Sequence, residues 1–229
     1  EEIEKERGVI LQEISMYEDD PRRQAVEIFE ELLYGDQPAG WDTAGYPQTI
    51  KNIARADILR YKESHYLTSN AVVVVAGNVS SPETFRKIEK SFLKMSQGKK
   101  IEKPRVRENQ DSPQVKFKKK EVDQTHLRLG VRAYHLFDER RYPLMVLNTI
   151  LGGNTSSRLF MELRERLGLT YYVGSNAEQY TDTGYLMAAG GVPHGSLAKV
   201  VESMVGIFRA LRTKGPAASE ISFAKEYLR

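Results

Sequence analysis

A chain of 229 residues with 34 Lys and Arg against 31 Asp and Glu carries a formal charge of +3, too near balance to call for a nucleic-acid partner or an acidic membrane surface. It has no cysteine, which excludes disulfide scaffolds, thiolate metal sites and cysteine nucleophiles and fits a cytoplasmic setting. With 40% hydrophobic and 28% charged residues, and no apolar run near the roughly 18 residues of a membrane span, the composition predicts a packed, soluble core in one or two domains.

Residues 1–17 predict an amphipathic helix, and 22–34 a second whose stripe is Ala25, Val26, Ile28, Phe29, Leu32 and Leu33, stopped by Gly35-Asp36-Gln37-Pro38. A Gly-, Pro- and Thr-rich loop precedes a helix over 54–66. The β-branched run Ala71-Val72-Val73-Val74-Val75-Ala76 predicts a strand buried on both faces, and Ser81-Pro82-Glu83 starts another helix. Residues 96–114 are polar, charged and proline-bearing, the pattern of an interdomain linker. Lys116-Phe117-Lys118-Lys119-Lys120 predicts a solvated strand face rather than a nucleic-acid patch. Alternation through Leu127, Leu129, Val131 and Ala133 predicts a half-buried strand. Helices follow over 142–151 and 158–167. Then comes a hairpin of 171–179 and 185–191, and a helix from a Ser196 cap to Thr213. Together these elements predict an α+β fold with helices packed on mostly antiparallel sheets. The chain opens and closes inside helical patterns without an initiator Met, so both ends are expected to be processing boundaries, with any targeting segment removed.

In the first helix, seven residues at about 100° each fall about 20° short of two turns, which stacks Glu6 and Glu13. Ile3, Val9, Ile10, Ile14, Met16 and Tyr17 flank that line, while Glu4, Gln12 and Ser15 supply a wet face. Both carboxylates are therefore expected within the buried stripe, where an unpaired carboxylate is costly. Two explanations are open: buried salt bridges, with Arg7, Arg22 or Arg23 as partners, or a metal or catalytic role.

The segment Glu4-Lys5-Glu6-Arg7-Gly8-Val9-Ile10-Leu11-Gln12-Glu13-Ile14, followed by Tyr17-Glu18-Asp19-Asp20-Pro21, resembles a helix of the insulinase/pitrilysin/mitochondrial-processing-peptidase family, the one after the active-site helix. Leu33-Tyr34-Gly35-Asp36-Gln37-Pro38 and the Ala71–Val79 segment continue the resemblance in the family's order. It implies that Glu13 is a zinc ligand and Glu6 its supporting carboxylate. In these peptidases two His and a Glu, spaced H-x-x-E-H, supply the other ligands and the general base. This chain has only His65, His126, His135 and His194, none so spaced, and each is expected to be an ordinary histidine. The chain alone is therefore expected to bind no zinc tightly and to be inactive.

Further along, Leu163-Arg164-Glu165-Arg166-Leu167-Gly168-Leu169-Thr170-Tyr171 is similar to the family's Arg–Tyr pair, which implies that Arg164 and Tyr171 bind the substrate peptide and steady a developing oxyanion. The family has two homologous halves, and Glu220-Ile221-Ser222-Phe223-Ala224-Lys225 loosely echoes Glu2-Ile3-Glu4-Lys5-Glu6-Arg7, with Ala224 where Glu6 stands. The resemblance thus implies that residues 1–95 are the back of a catalytic half, 96–114 the linker and 115–229 the front of a non-catalytic half. The parent would be a zinc endopeptidase acting on peptides or unfolded segments. Alternatively the chain belongs to a partner or scaffold subunit of the same family. The missing remainder of the parent, a second subunit, or self-association through open edges such as Ala71–Val75 would cover exposed surface.

Overall fold

Alternating side chains through Thr125–Arg132 build strand β1, and two further strands, β2 (Tyr172–Gln179) and β3 (Gly184–Val192), complete an antiparallel sheet in the order β1-β3-β2. The computed structural model describes all 229 residues and divides into two compact units. This sheet lies in the larger, formed by Met16–Asp42 and Arg105–Arg229. Central β3 is apolar at nearly every position because both its faces are covered. Leu186, Ala188 and Val192 point into a core with Leu151, Leu159, Leu163, Val200 and Met204, supplied by helix α6 (Arg141–Gly152), the following turn and helix α7 (Leu197–Lys214). Tyr185 and Met187 point the other way, against Phe29, Leu33 and Tyr34 of helix α2 (Pro21–Tyr34).

Asp20 starts α2 by accepting the backbone N–H groups of Arg22 and Arg23, with Pro21 in the first turn where its missing N–H costs nothing. Gly35 ends it at φ 67°. The ring of Phe29 packs edge-on to Tyr185 at 5.1 Å and lies over Gly130 of β1, where a Cβ would stand 2.6 Å from Phe29 Cζ and 2.8 Å from the Leu186 carbonyl oxygen. Next to it, Glu30 Oε1 accepts hydrogen bonds from Tyr180 and Tyr185, each at 2.8 Å. Burial together with that carboxylate raises both phenols well above their ordinary pKa, and burial pushes Tyr34 up to about 12. Helix α8 (Ala218–Tyr227) is tied down by Arg158, whose guanidinium donates to both oxygens of Glu220 at 2.7 Å.

The smaller unit, Glu1–Ser15 with Thr43–Pro104, is helical. It holds the first turns of α1 (Glu2–Asp19), then α3 (Pro47–Asn52), α4 (Arg55–His65) and α5 (Ser81–Phe92). Arg7 of α1 donates to the carbonyls of Ile50 and Ile53 and so holds the end of α3. Asp57 accepts the Ala54 N–H and caps α4.

Several expectations need correction. The Ala71–Ala76 run forms no strand, and Val72 and Val74 are 88% and 83% exposed. A β-branched run becomes a buried strand only where other strands flank it, and no strand belongs to this unit. Lys116–Lys120 is likewise irregular and exposed, not a strand face. The polar 96–114 stretch is not all tether: Val106 N–H donates to Asp182, Arg107 N–H to Gln37, and Thr183 Oγ1 to Glu108. The compact units cut across the expected segments, since 16–42 groups with 105–229 and the later boundary falls after Pro104. Ser196 closes a short 3₁₀ turn ahead of α7, and its side chain makes no cap. The expected α-helix over 158–167 is π-helical from Phe160 to Arg166.

The packing of Phe29 on Gly130 predicts that Gly130→Ala destabilises the larger unit by about 1–3 kcal/mol through overpacking against backbone. Urea unfolding followed by tyrosine fluorescence measures this, and Val131→Ala, at an exposed neighbouring position, should change stability far less.

Candidate functional site

Helix α1 turns Ile3, Arg7, Ile10, Leu11, Ile14 and Tyr17 inward, all buried or half-buried. Glu6 and Glu13 share one side of the helix, as their spacing requires, yet both are exposed. The expectation that they lie within the buried stripe is corrected here. They sit at its margin, beside Val9 and Met16, which are 42% and 58% exposed. Apolar neighbours in a helix pattern mark a buried strip only when another element covers them. The salt-bridge explanation is not what forms either. Arg7 pairs with Glu4 at 3.1 Å, Arg23 pairs with Glu27 at 3.1 Å, and Arg22 stacks over the Tyr172 ring at 4.1 Å.

Arg164 and Tyr171 are brought together by the π-helical turn. The Leu167 N–H donates to the Glu162 carbonyl at 3.0 Å, five residues back, and Gly168 at φ 60° reverses the chain. The chain then re-enters the sheet, where the Tyr171 N–H donates to the Gly191 carbonyl at 3.0 Å. Leu163, fully buried, pins the turn to the core. On this frame Arg164 Nη1 donates to the carbonyls of Thr170, at 3.2 Å, and Tyr171. Its guanidinium carbon lies 5.9 Å from the Tyr171 ring centroid and 6.0 Å from that of Phe160. Tyr171 precedes β2 and is 72% exposed. The site therefore presents an anchored cation beside an open phenol, two groups suited to meeting a developing negative charge.

A cluster that sequence reasoning missed surrounds Tyr172. Its hydroxyl lies 2.9 Å from His126 Nδ1 and accepts from Arg128 Nη1 at 3.4 Å, while Arg22 covers the ring. Burial first, then Arg128 and Arg22, holds the His126 imidazole below its ordinary pKa. The only available signal was the alternation of His126 and Arg128 along β1, which says nothing of what faces them. The other histidines are dispersed. His65 stacks on Tyr61, His135 lies near Phe137 and His194 hydrogen-bonds Thr125.

No group of three or more His, Asp or Glu side chains is arranged to hold a metal ion. A catalytic zinc takes three protein ligands, and Glu13 offers one carboxylate. The residues of this chain do not by themselves fit the metal that the resemblance implies.

The fold is a helix-backed antiparallel sheet that presents the Arg164–Tyr171 pair, with Glu6 and Glu13 on one side of helix α1. Residues 52–228 match the family described as the peptidase M16 inactive domain, and the chain belongs to that family. It is 32% identical over 231 residues to the uncharacterized zinc protease YmxG of Bacillus subtilis, covering 100% of this chain and 55% of that protein. It is also 32% identical over 232 residues to the uncharacterized zinc protease ML0855 of Mycobacterium leprae, covering 100% of this chain and 52% of the relative. The chain thus spans about half the length of the curated relatives it matches. Three solved structures share the fold. A peptidase M16 inactive domain from Pseudomonas fluorescens superposes with TM-score 0.87 at 21% identity, over 99% of this chain and 55% of that one. A protease from Helicobacter pylori gives 0.88 at 24% identity, over 99% and 56%. A chain of complex III2 from Candida albicans gives 0.87 at 17% identity, over 98% and 55%.

Because Arg164 anchors two backbone carbonyls, Arg164→Ala is expected to lower stability by about 1.5–3 kcal/mol, the range for hydrogen bonds involving a charged group. It should also speed hydrogen exchange at Thr170 and Tyr171, as read by mass spectrometry, with β1 unaffected.

Proposed function

We propose that this chain is part of a zinc-dependent endopeptidase that cleaves peptides or unfolded segments, and that it is inactive in isolation. The observation that carries this is the Arg164–Tyr171 pair. The fold spends a π-helical turn, a reversed glycine and a guanidinium on presenting one open phenol, and the sheet gains nothing from that exposure. The relatives' name, zinc protease, supports the same reading. In it, Tyr171 donates a hydrogen bond to the substrate carbonyl oxygen. Arg164 holds the Thr170 and Tyr171 backbone in place and adds positive charge where negative charge develops. Glu13 serves as one zinc ligand and Glu6 supports it, the remaining ligands coming from an H-x-x-E-H helix outside this chain. An extended substrate enclosed between two homologous halves and a cytoplasmic setting complete the reading.

A second reading, a non-catalytic partner or scaffold subunit, is favoured by one observation: the same fold occurs in a chain of complex III2. Retention of Glu6, Glu13, Arg164 and Tyr171 together weighs against it, since a scaffold requires none of them. In both readings the exposed valines of 72–75 are covered by the remainder of the protein, a second subunit or another copy.

The test uses the protein that includes the upstream region, assayed with a quenched fluorescent peptide and by metal analysis. Glu13→Gln is expected to abolish bound zinc and activity together. Tyr171→Phe should retain zinc and lower kcat by about 10²–10³, the usual effect of losing one oxyanion donor. A protein that binds no zinc and cleaves nothing would replace the peptidase reading with the scaffold.

A further inference from the structure

Tyr171 stands immediately ahead of β2, and the next residue, Tyr172, is the first of that strand. Tyr171 is exposed, whereas Tyr172 turns back over the sheet and is half-buried. Arg164 holds the backbone before this junction through the Thr170 and Tyr171 carbonyls. After the junction, the strand is held by what clamps Tyr172. His126, Gly191 and Tyr172 stand side by side across β1, β3 and β2. Gly191 leaves room for the phenol, since a Cβ there would stand 2.4 Å from Tyr172 Cε1. The ring lies across that glycine to reach His126, with ring centroids 5.9 Å apart. The contact thus spans the central strand of the sheet.

The chemistry of the contact depends on one proton. Arg128 Nη1, 3.4 Å from the Tyr172 oxygen, can only donate. The phenolic hydrogen is therefore left for His126 Nδ1 at 2.9 Å, which accepts it when that nitrogen carries no proton. A protonated imidazole would aim a second donor at the same oxygen and leave the phenolic hydrogen without an acceptor. It would also place a third cation beside Arg128 and Arg22, whose guanidinium carbon lies 4.1 Å from the Tyr172 ring centroid. Nothing nearby offsets that charge. β3 contributes Gly191 and Ala189 beside these residues, and the irregular tract lining the same cavity as His126 contributes Lys118, Lys119 and Lys120. The one carboxylate that acts on His126 is Asp20 of the α2 cap, already engaged by the Arg22 and Arg23 N–H groups. Burial, Arg128 and Arg22 hold the imidazole below its ordinary pKa. The proton therefore favours the unclamped state: the clamp is complete above the ordinary value of about 6.5 and is lost as pH falls through the lowered one.

We propose that His126 is a positioning residue for Tyr171, acting through Tyr172: neutral His126 clamps the start of β2 and so fixes the Tyr171 phenol beside Arg164, and protonated His126 releases it. The consequence for catalysis rests on the peptidase reading, whereas the clamp itself does not.

In the 229-residue chain, amide hydrogen exchange of peptides covering Tyr171 and Tyr172 is followed by mass spectrometry between about pH 5 and about pH 8, the range in which an imidazole changes charge, and corrected for the intrinsic rate. Protection is expected to fall about three- to tenfold toward the acid end, the effect of losing one hydrogen bond, while α7 keeps its protection. His126→Gln supplies an amide oxygen that accepts the phenolic proton at any pH, so it should keep the neutral-pH protection and abolish the acid loss. Tyr172→Phe should exchange at the faster rate throughout. In the protein that includes the upstream region, His126→Gln should raise kcat for a quenched fluorescent peptide above wild type at the acid end alone, with KM unchanged. A longer protein that cleaves nothing would count against the peptidase reading, and the exchange data would still decide the clamp. The proposal is overturned if wild-type protection at Tyr171 and Tyr172 does not change with pH, if His126→Gln retains the acid loss, or if α7 loosens in parallel.

Discussion

The ring of Phe29 occupies the space that a side chain at position 130 would need, and the larger unit is organised around that contact. With Gly130 in β1, α2 comes close enough for Glu30 to receive the Tyr180 and Tyr185 hydroxyls and for Arg132 to donate to the Leu33 carbonyl at 2.5 Å. The second face of the sheet is then closed, which is why β3 reads as a nearly unbroken apolar run rather than an alternating one. The same seating keeps residues 16–42 with 105–229, although more than sixty residues of the other unit intervene in sequence.

The two groups of candidate site residues differ in how complete they are. Arg164 and Tyr171 have their whole local frame within this chain: the π turn, the Gly168 reversal, the Leu163 anchor and the hydrogen bond to Gly191. Their geometry is set by local backbone chemistry and one sheet contact. Glu6 and Glu13 have a helix under them and nothing over them, and the neighbouring Val9 and Met16 are exposed for the same reason. A metal set needs several donors converging from different elements, whereas an Arg–Tyr pair seven residues apart can be shaped by one turn. Arg164 and Tyr171 thus have a complete local frame, while Glu6 and Glu13 lie on an uncovered helix face.

Charge in this protein is balanced overall but not locally. The arginines of the first two helices are each engaged, Arg7 on carbonyl oxygens, Arg22 on an aromatic face and Arg23 on Glu27. The stacked carboxylates near them are therefore not neutralised within their own helix. The opposite imbalance occurs along 116–120, where two lysines are spent on holding the tract and two are left over.

The sequence by itself determined the elements whose signals are local. These include the helix over 22–34 with its Gly35 stop, the helix over 54–66, the hairpin of 171–179 and 185–191 and the half-buried strand through Leu127 to Ala133. It also placed Glu6 and Glu13 on one side of a helix and marked Arg164 and Tyr171 through their resemblance to a known motif. Only tertiary structure decided what covers each element. The valines at 72–75 have every propensity of a buried strand and remain exposed, because a strand is made by its neighbours. Glu6 and Glu13 fall outside the buried stripe because hydrophobic periodicity reports which residues could be covered, not whether a covering element is present. The π turn that sets Arg164 against the Tyr171 backbone, and the His126–Tyr172–Arg128 cluster, arise from contacts between segments far apart in sequence or from a shift in helical hydrogen bonding. Neither leaves a periodic trace in the order of residues.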